Sequence, residues 1–155
     1  MNLLKEARID TIYKGDTATA NTNVDATTLI DTAGYESVLL ISTVQDVTGG
    51  ISTGGYQLLP RHSAVNTSTT GITDLGSTCV AGTSNSLDTG NIGDIIAIDI
   101  YRPSKRYLSV SIDKPGNGKS LAGPVVALRY NPSVAPTSQM AANVIESKLV
   151  ISPTT

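Results

Sequence analysis

The chain has 155 residues, a formal net charge of −2, 39% hydrophobic and 15% charged residues, a single Cys, and six Tyr as its only aromatics. That length suits one domain able to bury about 68–70% of its unfolded surface, and without Trp or Phe the core has to be aliphatic. The charge leaves no basic field for nucleic acid or an anionic membrane. Cys79 alone excludes an internal disulfide or a cysteine zinc site, and no apolar run reaches the roughly 18 residues of a membrane helix.

Met1-Asn2-Leu3-Leu4-Lys5-Glu6-Ala7-Arg8 carries an acid and lacks the apolar stretch of a signal peptide, which predicts synthesis in a cytoplasm. Ile9–Tyr13 alternates and reads as a first strand, followed by a Lys14-Gly15-Asp16 turn. Thr17–Thr28 is almost pure Thr, Ala and Asn, and reads as an exposed edge strand or an ordered loop. Next comes Asp31–Val44, opened by Ala33-Gly34 and continued by an apolar, β-branched run. It is long enough for a strand and too short for a typical helix. Val38, Leu40 and Val44 fall on one face of it, Leu39 and Ile41 on the other. Both faces are apolar, so both are expected to be covered.

Tyr56–Leu59 predicts a strand stopped by Pro60. Arg61–Asp94 is rich in Ser, Thr, Gly and Asn, and is too long to be one structureless loop. Short strands are expected near Gly71–Leu75 and Thr78–Ala81. Ile95–Ile100 reads as a buried strand. In Lys105–Ile112 the side chains of Leu108, Val110 and Ile112 point inward, and those of Tyr107, Ser109 and Ser111 point away. Lys114–Gly118 is a turn, and Leu121–Tyr130 a strand with Pro124 near its start. Asn131-Pro132 and Ala135-Pro136 form a stiff linker. Beyond it Val144, Ile145, Leu149, Val150 and Ile151 are too apolar to stay in water. The linker suggests that this arm adds to a sheet edge of another chain.

Short strands punctuated by Gly, Pro and Asn predict an all-β, antiparallel sandwich of about eight strands, jelly-roll-like or a Greek-key barrel. Residues 1–14 would be an N-terminal arm and first strand, 15–136 the sandwich, and 137–155 a C-terminal arm.

Chemical motifs are scarce. His62 is the sole His and reads as a solvated loop residue; pairing it with Cys79 as a dyad has no supporting signature. Gly116-Asn117-Gly118-Lys119-Ser120 contains Gly-Lys-Ser, but Asp113 stands where a phosphate loop needs Gly. The ten Asp residues lack EF-hand spacing. No catalytic residue, cofactor or metal ligand is nominated. Arg102, Lys105 and Arg106, with Lys114, form a modest basic cluster that could steer an acidic protein partner.

Three stretches occur together in a recognisable order. They are Asp31-Thr32-Ala33-Gly34-Tyr35-Glu36-Ser37-Val38-Leu39, then Lys105-Arg106-Tyr107-Leu108-Ser109-Val110 before a Gly-rich turn, then Val125–Tyr130 before Asn131-Pro132. The chain thereby resembles small β-rich virion proteins of tailed bacteriophages, in particular head decoration (cement) proteins. It departs from them in Pro60-Arg61-His62-Ser63, where an acidic turn is usual. The resemblance implies a non-enzymatic protein on the outer surface of the capsid, bridging neighbouring major capsid protein subunits as a homotrimer. It also leaves room for another virion part, such as a tail or head–tail joining protein, or for a small β binding module. Arg102, Lys105, Arg106, Val144, Ile145, Leu149 and Ile151 are the expected partner-binding residues.

Overall fold

The computed structural model of the chain describes residues 7–15, 23–26, 28–48, 55–66, 72–76, 80–83, 91–114, 119–130 and 144–151, with backbone alone at 46–48, 83, 119–121 and 144–151. In chain order the strands are β1 (Arg8–Tyr13), β2 (Val24–Asp25), β3 (Ile30–Asp31), β4 (Ser37–Thr48), β5 (Tyr56–Ser63), β6 (Thr73–Asp74), β7 (Ala81–Thr83), β8 (Ile95–Tyr101), β9 (Tyr107–Asp113), β10 (Lys119–Ala122), β11 (Val125–Tyr130) and β12 (Val144–Ile151). There is no α-helix among the described residues. Eight of these strands have four residues or more. The other four are the short pieces that a Ser/Thr/Gly-rich sequence can sustain only beside a longer neighbour.

Two six-stranded sheets result. The first runs β1-β11-β4-β8-β12, with β10 also on β4; the second runs β2-β9-β5-β6, with β3 on β9 and β7 on β5. Val38, Leu40, Ile96, Ile98 and Ile100 of the first meet Leu58, Leu108, Val110 and Ile112 of the second, all fully shielded from water. This is a β-sandwich whose core is aliphatic, as expected without Trp and Phe, except for the fully buried Tyr56.

β4 is the centre of the first sheet, flanked by β11 and β8. Its register follows the sequence: Val38, Leu40 and Val44 are buried, and Ser42 lies between them, bonded to the Tyr56 hydroxyl at 2.6 Å. Leu39 and Ile41 are only half-buried. The expectation that both faces are covered is therefore corrected, because in a two-layer sandwich that face of the sheet looks outward. Gly34 opens the strand at φ +83°, in the turn closed by the Tyr35 amide on the Thr32 carbonyl. A side chain there would be strained.

Four further expectations change. β5 does not stop at Pro60 but runs through it to Ser63, with Pro60 opposite Val110. The Pro60 carbonyl accepts from the Leu75 amide, so the missing N–H points to that same side, into the gap between β6 and β7, where no ladder bond is lost. Leu121–Tyr130 is two strands, broken at Gly123-Pro124. The Gly123 amide bonds to the Thr43 carbonyl at 2.8 Å, and a Cβ at Gly123 would lie 2.7 Å from that oxygen. Ser109 points away from the core but is fully buried, its hydroxyl 2.9 Å from the Ala26 carbonyl and 3.1 Å from that of Thr28.

The fourth change concerns the C-terminal arm. Val144–Ile151 is extended, as expected, yet it lies parallel to β8 of its own chain rather than on another. Parallel pairing needs a long crossover, and 131–143 supplies the length. The expected short strands near Gly71–Leu75 and Thr78–Ala81 correspond to β6 and β7. Cys79 and residues 115–118 lie outside the described residues.

Candidate interaction surface

One end of the sandwich gathers the chain's arginines and tyrosines. β4 begins there at Ser37, between Tyr130 ending β11 and Tyr101 ending β8; β9 begins there at Tyr107, opposite Asp31 of β3. The 102–106 turn, which links the two sheets, adds Arg102, Lys105 and Arg106. The 32–36 turn adds Tyr35 and Glu36. Four of the six tyrosines and four of the five arginines are placed at this end, counting Arg8 and Arg129 where β1 meets β11.

The charges are layered. Deepest is Arg129, 6% exposed, which joins the two sheets. Its Nε and Nη2 donate to Asp10 Oδ2 at 2.9 and 2.6 Å, its Nη1 donates to the Asp31 carbonyl, and its guanidinium lies 5.0 Å from the Tyr35 ring. Above it, Arg106 forks onto Asp31 with bonds of 2.8 and 2.7 Å. Those bonds, then the Ala33 amide, hold the Asp31 carboxyl down at about 2, and Asp31 in turn raises Arg106. Arg106 also stacks over Tyr107 at 5.4 Å.

Arg102 is held differently. Its guanidinium lies over the Tyr101 ring at 5.1 Å and 3.8 Å from Glu36 Oε1, a loose ion pair, with its side chain 67% exposed. Its backbone has φ 49°, the only positive value for a residue other than Gly among the described residues, and its amide donates to the Glu36 carbonyl at 2.6 Å. Pro103 follows it directly. A non-Gly residue held there costs of order 1–3 kcal/mol, and such strain persists where the surroundings fix it. Lys105 donates to the Thr73 hydroxyl at 3.1 Å. Of the three cations in this turn, Arg106 alone is matched closely by a carboxylate among the described residues.

Two neighbouring clusters complete the site. His62 Nδ1 lies 3.1 Å from the Ser104 hydroxyl. Desolvation, then the Lys105 charge, lowers its pKa, so the imidazole is neutral at pH 7. A Ser–His contact whose charged neighbour is a lysine lacks the oriented, charge-stabilised imidazole of a nucleophilic triad. On the outward face of the first sheet, the Tyr130 hydroxyl donates to Asp99 Oδ2, while the buried Asp99 Oδ1 has no donor among the described residues. Burial raises the Asp99 carboxyl and, with Asp99 beside it, the Tyr130 phenol. No group of three or more metal-ligating side chains occurs among the described residues.

Of the residues nominated from the sequence, Arg102, Lys105 and Arg106 share this end. Ile151 pairs with Tyr101 and brings the C-terminal end of β12 to the same end, whereas Val144 pairs with Ile95 at the opposite end. Leu149 pairs with Asp99, and Ile145 falls at the register shift between Val144 and Glu146. Sequence reasoning missed Tyr35, Tyr101, Tyr130 and the Arg129–Asp10 pair. The repeated Tyr-Arg and Arg-Tyr dipeptides at 101–102, 106–107 and 129–130 were the available signal. Compared with known proteins, the chain matches no family model, no curated protein and no solved structure.

Proposed function

We propose that this protein is a non-enzymatic structural component of a tailed-phage virion that decorates the outside of the capsid, most simply as a homotrimer. In this reading its Tyr/Arg end docks on an acidic surface of the major capsid protein. The observation that carries the docking site is the clustering itself. Tyr and Arg are the residues that dominate buried protein–protein contacts, because they bring large, rigid, partly apolar area with directional donors. Here the two exposed arginines, Arg102 and Arg106, are already stacked on tyrosine rings, so little side-chain freedom remains to be lost on binding. The resemblance to head decoration proteins supplies the identity of the partner.

Arg102 is the informative residue. Replacing it with Gly suits a φ of 49° and removes the exposed cation, so Arg102→Gly keeps or raises the melting temperature. The same variant should co-sediment with phage heads stripped of this protein much less than the parent does. Equal co-sedimentation of parent and Arg102→Gly would reject this end as the docking site.

A further inference from the structure

The first sheet has an edge that the fold does not close. Among the described strands β1 bonds on one side only, to β11. Open edges are normally shortened, charged inward or covered, since their unpaired backbone groups recruit another strand. β1 has instead an exposed apolar residue near its start: Ile9, its second residue, is 60% exposed, the most exposed large hydrophobic residue among those described. It stands at the rim of the outward apolar row Ile9–Leu128–Leu39, which crosses three strands in register. Arg8 beside it is 64% exposed and reaches Asp10 at only 3.3 Å. Along this edge runs a cleft of about 270 Å³ lined by Arg8, Asp10, Thr11, residues 28–31 and Arg129.

We infer that β1 pairs antiparallel with β1 of a second copy about a two-fold axis through Ile9, making one continuous sheet across two subunits. The sequence Arg8-Ile9-Asp10 is self-complementary in that register alone. A two-fold axis perpendicular to the sheet must pass through a residue facing its own copy, and facing residues share a sheet face. With Ile9 on the axis, the two exposed isoleucines pack together and each Arg8 faces the other copy's Asp10, twice. With Asp10 on the axis, two carboxylates face each other. With Thr11 there, Arg8 faces Lys14. With Ile12 there, Asp10 would face Lys14, but Ile12 is buried and the strand is irregular between Thr11 and Tyr13. Opposite charges across strands stabilise and like charges destabilise, so the Ile9 register is favoured. The cleft gives the incoming Arg8 room beside Asp10. The irregularity between Thr11 and Tyr13 ends the straight part of the strand where this pairing would end. Pairing of the two edges also extends the Ile9–Leu128–Leu39 row into one apolar stripe shared by both copies. This inference does not rest on the virion reading, and a two-fold contact at β1 leaves the Tyr/Arg turn 102–106 uncovered.

A cysteine on the axis tests it. Facing residues in an antiparallel pair have Cα atoms about 4.5–5.5 Å apart, within the disulfide range of roughly 4.4–6.8 Å. Two copies of residue 11 would be roughly 14 Å apart in this register. In a Cys79→Ser background, Ile9→Cys should cross-link most of the protein into a covalent dimer under mild oxidation. Thr11→Cys and the exposed control Val65→Cys should give at least tenfold less. A second variant, Arg8→Asp, places an aspartate against the other copy's Asp10 and should weaken self-association roughly tenfold or more while leaving the melting temperature nearly unchanged. Cross-linking at 9 no greater than at 65 overturns the proposal. So does preferential cross-linking at 11, which would mean another register, or self-association indifferent to Arg8→Asp.

Discussion

Replacing Asp10 by Ala probes the support of Arg129, which reaches from the first sheet to the Asp31 carbonyl of the second. Arg129 side chain is 7% exposed, and Asp10 is the only carboxylate paired with its guanidinium among the described residues. Breaking a buried pair by removing one partner usually costs about 3–5 kcal/mol, because the remaining charge is left desolvated. Here the Asp10 side chain is 24% exposed, so water can reach part of the vacated position. The Asp31 carbonyl and the Tyr35 ring also keep their contacts with the guanidinium. The expected loss is therefore roughly 2–4 kcal/mol, which corresponds to about 4–16 °C in melting temperature for a chain of this size. Urea unfolding of parent and variant, compared at equal m-value, gives the number directly. The double variant Asp10→Ala/Arg129→Met removes the stranded charge and should recover part of the loss. A loss under about 0.5 kcal/mol for Asp10→Ala, within the range of a neutral surface change, would refute the view that Asp10 holds Arg129 in the place from which it reaches the other sheet.

Leu40→Ala empties a fully buried site in β4 and should cost roughly 2–5 kcal/mol by urea unfolding, whereas Ser109→Ala, which strands two carbonyls, should cost about 1–3 kcal/mol rather than nothing. Asp31 is held at about 2 against an ordinary 3.8, so its ionised form is favoured by folding. Its contribution is complete above the ordinary value and lost as pH falls through about 2, and Arg106→Gln should return its NMR-titrated pKa toward 3.8. Ending the chain after Thr137 should lower the melting temperature and the hydrogen-exchange protection of Ile95–Tyr101, because it uncovers the β8 edge that β12 occupies; unchanged protection would mean that β12 pairs elsewhere.

The long strands were legible because their patterns are local. The β-branched run of β4 and the alternation of Leu108, Val110 and Ile112 fix both the elements and the inward faces. What escaped depends on neighbours. Pro60 is tolerated in mid-strand only because its bare side meets a gap between two short strands, and nothing near Pro60 in the sequence encodes that gap. Ser109 alternates outward correctly, yet it is buried against the Ala26 and Thr28 carbonyls. β12 looks like an arm in the sequence because a parallel partner leaves no local trace and a proline-rich linker resembles a tether. The basic cluster was visible as Arg102, Lys105 and Arg106, but its partners were not. Asp31 binds Arg106 across 75 positions and Asp10 binds Arg129 across 119, separations over which one sequence shows no pairing.

The most direct test of the proposed role is a three-dimensional reconstruction by electron cryo-microscopy of particles that carry this protein, beside particles lacking it. Decoration predicts density that is lost from the outer face of the head between neighbouring capsid subunits, at local three-fold positions, with the 102–106 turn facing the shell. Difference density confined to the tail or the head–tail junction, or none on the particle, would contradict it.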